Sequence, residues 1–176
     1  LFKLFNKIET WKLLEEKIGE ITWHGYSYEK FNTALSQALE GGRAIYSSAY
    51  IMPSGMSSFG SQRKHQNHLK LLELMMKDRL FKQLQKAKSM EAAYGLILQY
   101  PTIGSFLAYQ YLIDINYTEL TDFDEMEFVV PGPGARDGIM KCFKSRGDYS
   151  ESEIIKLMAE IQDEQFKRLG IVFQNL

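Results

Sequence analysis

Proline and glycine divide this chain into helical stretches at two places that fix how it can fold. Tyr100-Pro-Thr-Ile-Gly-Ser-Phe-Leu-Ala-Tyr-Gln110 reads as the end of one helix, a tight Pro/Gly turn and the start of a second helix. About twenty residues later, Val129-Val-Pro-Gly-Pro-Gly-Ala-Arg-Asp-Gly138 reads as a glycine-rich loop that opens another helix. Both arrangements turn backbone N–H groups outward, where they suit an anion. With no nucleotide-binding fold pattern in the chain, the polyanion that fits such a hairpin is a nucleic-acid backbone.

The chain's 176 residues, 45% of them hydrophobic, can bury a sizeable core, and a single domain over 1–176 is expected. A formal net charge of −1 announces no global attraction to nucleic acid, so any such contact must come from local patches. The single cysteine, Cys142, excludes an internal disulfide and a cysteine-rich zinc site. No secretion signal is visible, and no apolar run approaches the roughly 20 residues of a membrane span. The expected location is the cytoplasm of a bacterial or phage-infected cell. The sequence opens at Leu1, already within a helical pattern, which leads us to expect a further N-terminal segment in the full-length protein.

Phe2, Leu4, Phe5, Ile8, Trp11, Leu13 and Leu14 supply apolar surface for a first helix that Gly19 would stop. Phe31, Leu35 and Leu39 define a second helix, starting near Ser27 or Tyr28 and ending at Gly41-Gly42. Arg43 to Met52 reads as helix or irregular structure. Pro53, Gly55 and Gly60 mark Met52 to Ser61 as a loop. Leu69, Leu72, Met76, Leu80 and Leu84 predict one long amphipathic helix over about 64–86. Residues 63–88 hold eight Lys and Arg against Glu73 and Asp78, a local balance of +6. Ser89 caps the helix that enters the hairpin. Residues 114–127 carry six acids and no Lys or Arg, so the neutral total hides a dipolar chain. Ser150-Glu-Ser-Glu153 is a capping box, and Ile154, Leu157, Met158 and Ile161 form the expected core stripe of a last long helix. There is no internal repeat, low-complexity tract or linker.

Several constellations can carry chemistry, each beside a plainer explanation. In a helix-hairpin-helix, turn glycines bring backbone amides against a phosphate without reading sequence. Gly104 stands where such a motif needs glycine, Ile103 is the apolar residue between the turn positions, and Thr102 replaces the usual first glycine. An ordinary αα-hairpin accounts for the same residues equally. Gly132, Gly134 and Arg136 offer rigid backbone, helix-start amides and a cation to a phosphate or carboxylate, or they form a turn that lets two helices pack closely. The acidic run from Asp122 to Glu127 can provide a carboxylate for proton transfer or for an electron-poor transition state, although solvated surface charge is the commoner explanation. His65 and His68 are three apart but lack a third ligand at recognisable spacing, so no metal or cofactor is expected. Tyr46, Tyr50, Trp23 and Phe59 can line a base-sized pocket, or simply fill a helical core.

Taken together, Leu1-Phe-Lys-Leu-Phe-Asn-Lys-Ile-Glu-Thr-Trp11, Ile45-Tyr-Ser-Ser-Ala-Tyr-Ile-Met-Pro53, the hairpin at 100–110, Glu127-Phe-Val-Val-Pro-Gly-Pro-Gly-Ala135 and Gly138-Ile-Met-Lys-Cys-Phe143 resemble a known family. The chain is similar to the helical domain associated with 5-hydroxymethyluracil DNA kinases and to the glutamyl/putrescinyl-thymine pyrophosphorylase or amino-acid:DNA transferase group. These are divergent relatives of helix-hairpin-helix DNA glycosylases. The resemblance implies an all-α, glycosylase-like helical domain that grips double-stranded DNA and works on an extruded base. Thr102, Ile103, Gly104 and Ser105 would form its backbone-binding turn, with Lys70 and Lys77 of the basic helix beside them. Where the glycosylases of this superfamily place a catalytic aspartate, this chain reads Pro131-Gly-Pro-Gly134. Asp124, Glu125, Glu127 and Asp137 are the nearest carboxylates.

The leading expectation is therefore a DNA base-modifying enzyme of the thymine-hypermodification type. It would displace a phosphate or pyrophosphate group by an amine or water, with Gly132, Gly134 and Arg136 on the phosphate and Asp124, Glu127 or Asp137 as the catalytic acid. One alternative is a DNA glycosylase that excises a modified base, as in phage defence. Another is a non-catalytic DNA-binding module attached to a DNA kinase domain or protein.

Overall fold

A computed structural model describes residues 1–48 and 52–172. Among them the regular structure is entirely helical, as the spacing of apolar residues requires. The chain divides into two compact units: Leu1–Lys86 with Gly95–Ile103, and Ala87–Tyr94 with Gly104–Leu176.

The first unit contains α1 (Ile8–Ile18), α2 (Tyr28–Glu40), the single turn α3 (Met56–Phe59), α4 (Lys64–Lys77), α5 (Leu80–Leu84) and the last residues of α6 (Met90–Leu98). Helix α2 lies against both α1 and α4, and α3 lies on α4. Local chemistry sets the ends. The N–H of Gly19, at φ +88°, reaches back to Glu15 O to close α1, and the Ser27 hydroxyl accepts from the Lys30 N–H to open α2. Phe5, Leu14, Phe31, Leu35, Ile45, Leu69, Leu71 and Leu84 make the buried centre.

The single helix expected over 64–86 is two helices. Arg79, at φ +54°, takes the left-handed conformation and ends α4 before α5 begins. The buried face of α4 is also rotated from the expected stripe. It runs through His65, His68, Leu71 and Met75, with Asn67 and Leu69 beside them, while Leu72 and Met76 are only half-buried. Buried polar side chains on this face pin the loop that precedes it. Asn67 Nδ2 donates to Ser54 O and Ser61 O at 2.9 and 2.7 Å, and its Oδ1 accepts from Ser61 N at 3.0 Å. That loop is not structureless, because α3 sits between Gly55 and Gly60, both left-handed. A Cβ at Gly55 would lie 3.0 Å from Asn67 Cβ, so the close approach also requires glycine.

The second unit holds the first residues of α6, then α7 (Ser105–Asn116), α8 (Pro133–Cys142), α9 (Glu151–Glu160) and α10 (Gln162–Leu169). Residues 117–132 form an irregular connection whose backbone is held by side chains from α7 and α9. Asn116 Nδ2 donates to Phe123 O while its Oδ1 accepts from Phe123 N, Tyr109 Oη donates to Phe128 O, Ser152 Oγ to Val129 O and Lys156 Nζ to Glu127 O. The Ser150 capping box is present in both directions. The long last helix is instead broken at Ile161. Of its expected core stripe only Ile154 is buried, whereas Leu157 and Met158 are exposed.

Candidate functional site

The turn between α6 and α7 combines a strained residue with an open one. Thr102 has φ +70°, the left-handed region that a β-branched side chain rarely enters, at the position where the sequence pattern lacks its first glycine. Its hydroxyl is buried without a hydrogen-bond partner. Ile103 is buried and anchors the turn, and its N–H donates to Tyr100 O at 3.2 Å. Tyr100 is itself fixed, its hydroxyl pushed up to about 12 by burial and by the neighbouring Asp78 carboxylate. Gly104 then caps α7 in an extended conformation and lies exposed, as does Ser105 after it. Nothing lies within 4 Å of the position a Gly104 side chain would take, so neither backbone angle nor packing demands glycine there. Open space over a helix N-terminus leaves room for a phosphate to reach the first amides.

The glycine-rich loop opens α8 as expected, with Gly132 as N-cap and Pro133 in the first turn. Gly132 has a packing reason to be glycine, since its Cβ would stand 2.8 Å from the Phe106 ring. Gly134 and Gly138 face open space. Arg136 pairs through Nε with Glu151 Oε2 at 3.2 Å, and Arg146 lies 3.7 Å from the other oxygen of the same carboxylate. Glu151 is a residue the sequence reading missed, and it balances the cation assigned to phosphate.

The candidate carboxylates each have local company. Asp124 Oδ1 accepts from Met126 N at 2.8 Å, Asp137 pairs with Lys141 at 2.6 Å one helical turn on, and the exposed Glu127 is held through its backbone carbonyl. No hydrogen bond or ion pair joins these three carboxylates to one another or to Arg136.

Of the two lysines assigned to DNA, Lys77 is exposed at the end of α4. Lys70 is not part of a free basic face: its Nζ donates to Phe59 O at 3.0 Å and to Ser61 Oγ at 2.9 Å, tying the 52–61 loop to the helix. His68 is structural by its partners. His68 Nε2–H donates to Pro53 O at 2.8 Å and Nδ1 accepts from Tyr46 Oη at 2.9 Å, and burial lowers its pKa to about 4. Among the described residues no three His, Cys, Asp or Glu side chains are grouped to hold a metal.

The aromatic residues divide by environment. Trp23, Tyr26 and Phe31 form a stacked series, so Trp23 belongs to the framework, and Phe59 lies over Gly55. Tyr50 lies outside the described residues. Tyr46 stacks on Phe5 at 5.6 Å and lines a pocket of about 450 Å³ with Leu39, Glu40, Arg63, Lys64 and His65. The apolar periodicity gave no sign of this pocket. The nearest signal was His65 and His68 on one helical face, polar residues in phase with the core.

No helix among the described residues is long and apolar enough to cross a membrane. No solved structure matches the chain significantly. A curated relative, the 5-hmdU DNA kinase of Bacillus phage SP10, is 24% identical over 189 aligned positions. That alignment covers 99% of this chain and 29% of the phage protein, so the chain spans less than a third of its relative. The family model described as "5-hmdU DNA kinase, helical domain" matches residues 1–176. Matched from one end to the other, the chain belongs to this helical-domain family.

Proposed function

We propose that this domain holds double-stranded DNA for modification of a pyrimidine, gripping the backbone through the α6–α7 turn in a protein that also contains, or works with, a DNA kinase. The observation that carries the reading is the pairing of a strained Thr102 with an exposed Gly104 that has no neighbour over it. Strain of this kind persists where a backbone shape is needed, and the bare glycine leaves that shape accessible to phosphate. The relative's name supplies the substrate class, 5-hydroxymethyluracil in DNA.

The geometry supports gripping and presentation of the base better than chemistry within this domain, because Arg136 is balanced by Glu151 and Asp137 by Lys141. The enzymatic form of the proposal keeps Asp124, Glu127 or Asp137 as the acid that steers an amine or water onto an extruded, phosphorylated pyrimidine. A glycosylase would use the same carboxylates to release the base.

Fluorescence anisotropy with duplexes containing 5-hydroxymethyluracil tests the turn. Gly104→Val should fold, because the added atoms enter open space, and should lose on the order of 1–2 kcal/mol of duplex affinity by keeping a phosphate from the amides. Unchanged affinity in the folded variant removes the turn from the interface. Mass spectrometry of nucleosides and free bases after incubation with modified DNA separates the readings of chemistry. A product lost in Glu127→Gln, Asp124→Asn or Asp137→Asn identifies an enzyme and its acid. No product from the parent protein leaves the gripping domain.

A further inference from the structure

The apolar stripe of α9 outruns the core it serves. Ile154 is 3% exposed, but Leu157 and Met158, one turn further along the same side, are 36% and 47% exposed. After the break at Ile161 the stripe continues on α10, where Phe166 and Leu169 lie at helical spacing. No residue of α10 is buried, and among the described residues it packs against no helix except α9. The N–H of Ile171 donates to Phe166 O and closes α10 around Gly170, whose φ is +67°, with Leu169, Ile171 and Val172 exposed at that end. An isolated helix of eight residues is far below a self-sustaining length in water. The apolar side of α10 therefore needs a surface to cover it.

The charges of α10 say what that surface carries. Asp163 and Glu164 stand in its first turn, and Lys167 and Arg168 in its last. Asp163 and Lys167 have the spacing of an intrahelical ion pair, yet among the described residues neither has an ionic partner, nor does Glu164. Arg168 Nε is turned to Gln165 Oε1 instead, at 2.8 Å. A helix whose acids lead and whose bases follow is complementary to a copy of itself running the other way, and the two helix dipoles then also oppose one another favourably. About a two-fold axis through Gln165, Asp163 of one copy falls opposite Lys167 of the other, and Ile161 opposite Leu169. Symmetry makes each of these pairs twice. An anionic lipid surface or a nucleic-acid backbone selects a basic face, whereas residues 157–172 carry three acids and two bases.

We infer that α10 and the end of α9 form the face through which two copies of this chain associate, α10 antiparallel to α10, with Leu157, Met158, Leu169, Ile171 and Val172 in the interface. At about 12 Å, α10 gives a short contact, so the dimer is a weak one with a dissociation constant in the micromolar range. Nothing in this face rests on the DNA-gripping reading above.

Sedimentation equilibrium of the 176-residue chain from about 1 to about 300 μM tests the face. The average mass should rise with concentration from 20.4 kDa toward twice that value. Leu169→Glu changes an exposed position, so it should fold as the parent does, with the same circular dichroism, and stay at the mass of one chain throughout. Asp163→Lys and Lys167→Asp should each weaken association about tenfold, since two attractive pairs become repulsive. Mixed with each other, these two variants should associate as tightly as the parent. The mixed dimer again sets opposite charges at both pairs, while each helix keeps its own like charges, so the recovery cannot arise within one helix. A parent chain that stays at 20.4 kDa over the whole range overturns the proposal, and such a monomer sedimenting with vesicles of anionic phospholipid gives the face to a lipid surface. Dimers that survive Leu169→Glu, or charge variants that do not recover on mixing, overturn it as well.

Discussion

Thr102 is a residue at which the backbone and the side chain disagree. A left-handed conformation costs an ordinary residue about 1–2 kcal/mol, and its buried, unpartnered hydroxyl adds a desolvation penalty. Thr102→Gly removes both at the smaller cost of a more flexible unfolded chain. Urea unfolding should show a gain of about 1 kcal/mol, and a loss of stability would mean that the threonine methyl, close to Gly55, contributes more than the strain costs. His68 makes a second residue-scale prediction. Its pKa is lowered in the folded protein to about 4 from an ordinary value of 6.5, so between those values the unfolded chain binds more protons. Stability is therefore fully present above about pH 6.5 and is lost as the pH falls toward 4. The loss between pH 7 and pH 5 should be about 2 kcal/mol, and burial lowers His65 in the same direction. Equal stability at the two pH values would place a charged imidazole in the folded state.

The elements that were legible in the sequence were those whose boundaries are written in local chemistry. Gly19, Ser27, Ser89 and Ser150 end or begin helices through bonds to backbone groups within a few residues, and all four act where the pattern placed them. Ser150→Ala should accordingly cost about 1 kcal/mol in thermal or urea unfolding, because the hydroxyl that accepts from the Glu153 N–H and donates to the Glu153 carboxylate is lost while the residue-150 backbone N–H remains; an unchanged midpoint would mean α9 does not need its cap. The break at Arg79 was invisible for the converse reason. No proline or glycine marks it, and the strain of a left-handed arginine is sustained by Leu80 and Leu84, which α5 buries after the chain has turned. Apolar spacing also misplaced the inner face of α4, since His65, Asn67 and His68 are polar yet buried, Asn67 and His68 bonded to the loop that precedes the helix and His65 to Asn32 of α2. The same blind spot hid the Tyr46 pocket. At the other end of the chain, the stripe expected on one long helix was divided by the break at Ile161, and with it went the assumption that Leu157 and Met158 are core.

Over the whole molecule, the net charge of −1 is the remainder of two large and opposite balances. The first unit holds 13 Lys and Arg against 8 Asp and Glu, and the second holds 8 against 14. Under the duplex-binding proposal, the positive balance of the first unit predicts that the electrostatic part of binding comes from lysines such as Lys77 and Lys82, exposed at the end of α4 and on α5. Lys70 is excluded from this set by its bonds to Phe59 and Ser61, and replacing it should reduce stability before it reduces affinity. Lys77→Ala with Lys82→Ala should weaken binding to every duplex alike, whatever its sequence or base modification. A plot of log affinity against log salt should lose about 0.9 of slope for each phosphate contact removed. The Gly104→Val variant should behave differently, lowering affinity with little change in slope if it blocks close approach and leaves the charges in place. Equal slopes in the parent and the double lysine variant would assign those lysines to an ordinary solvated face and leave the α6–α7 turn to hold DNA without help from the basic helices.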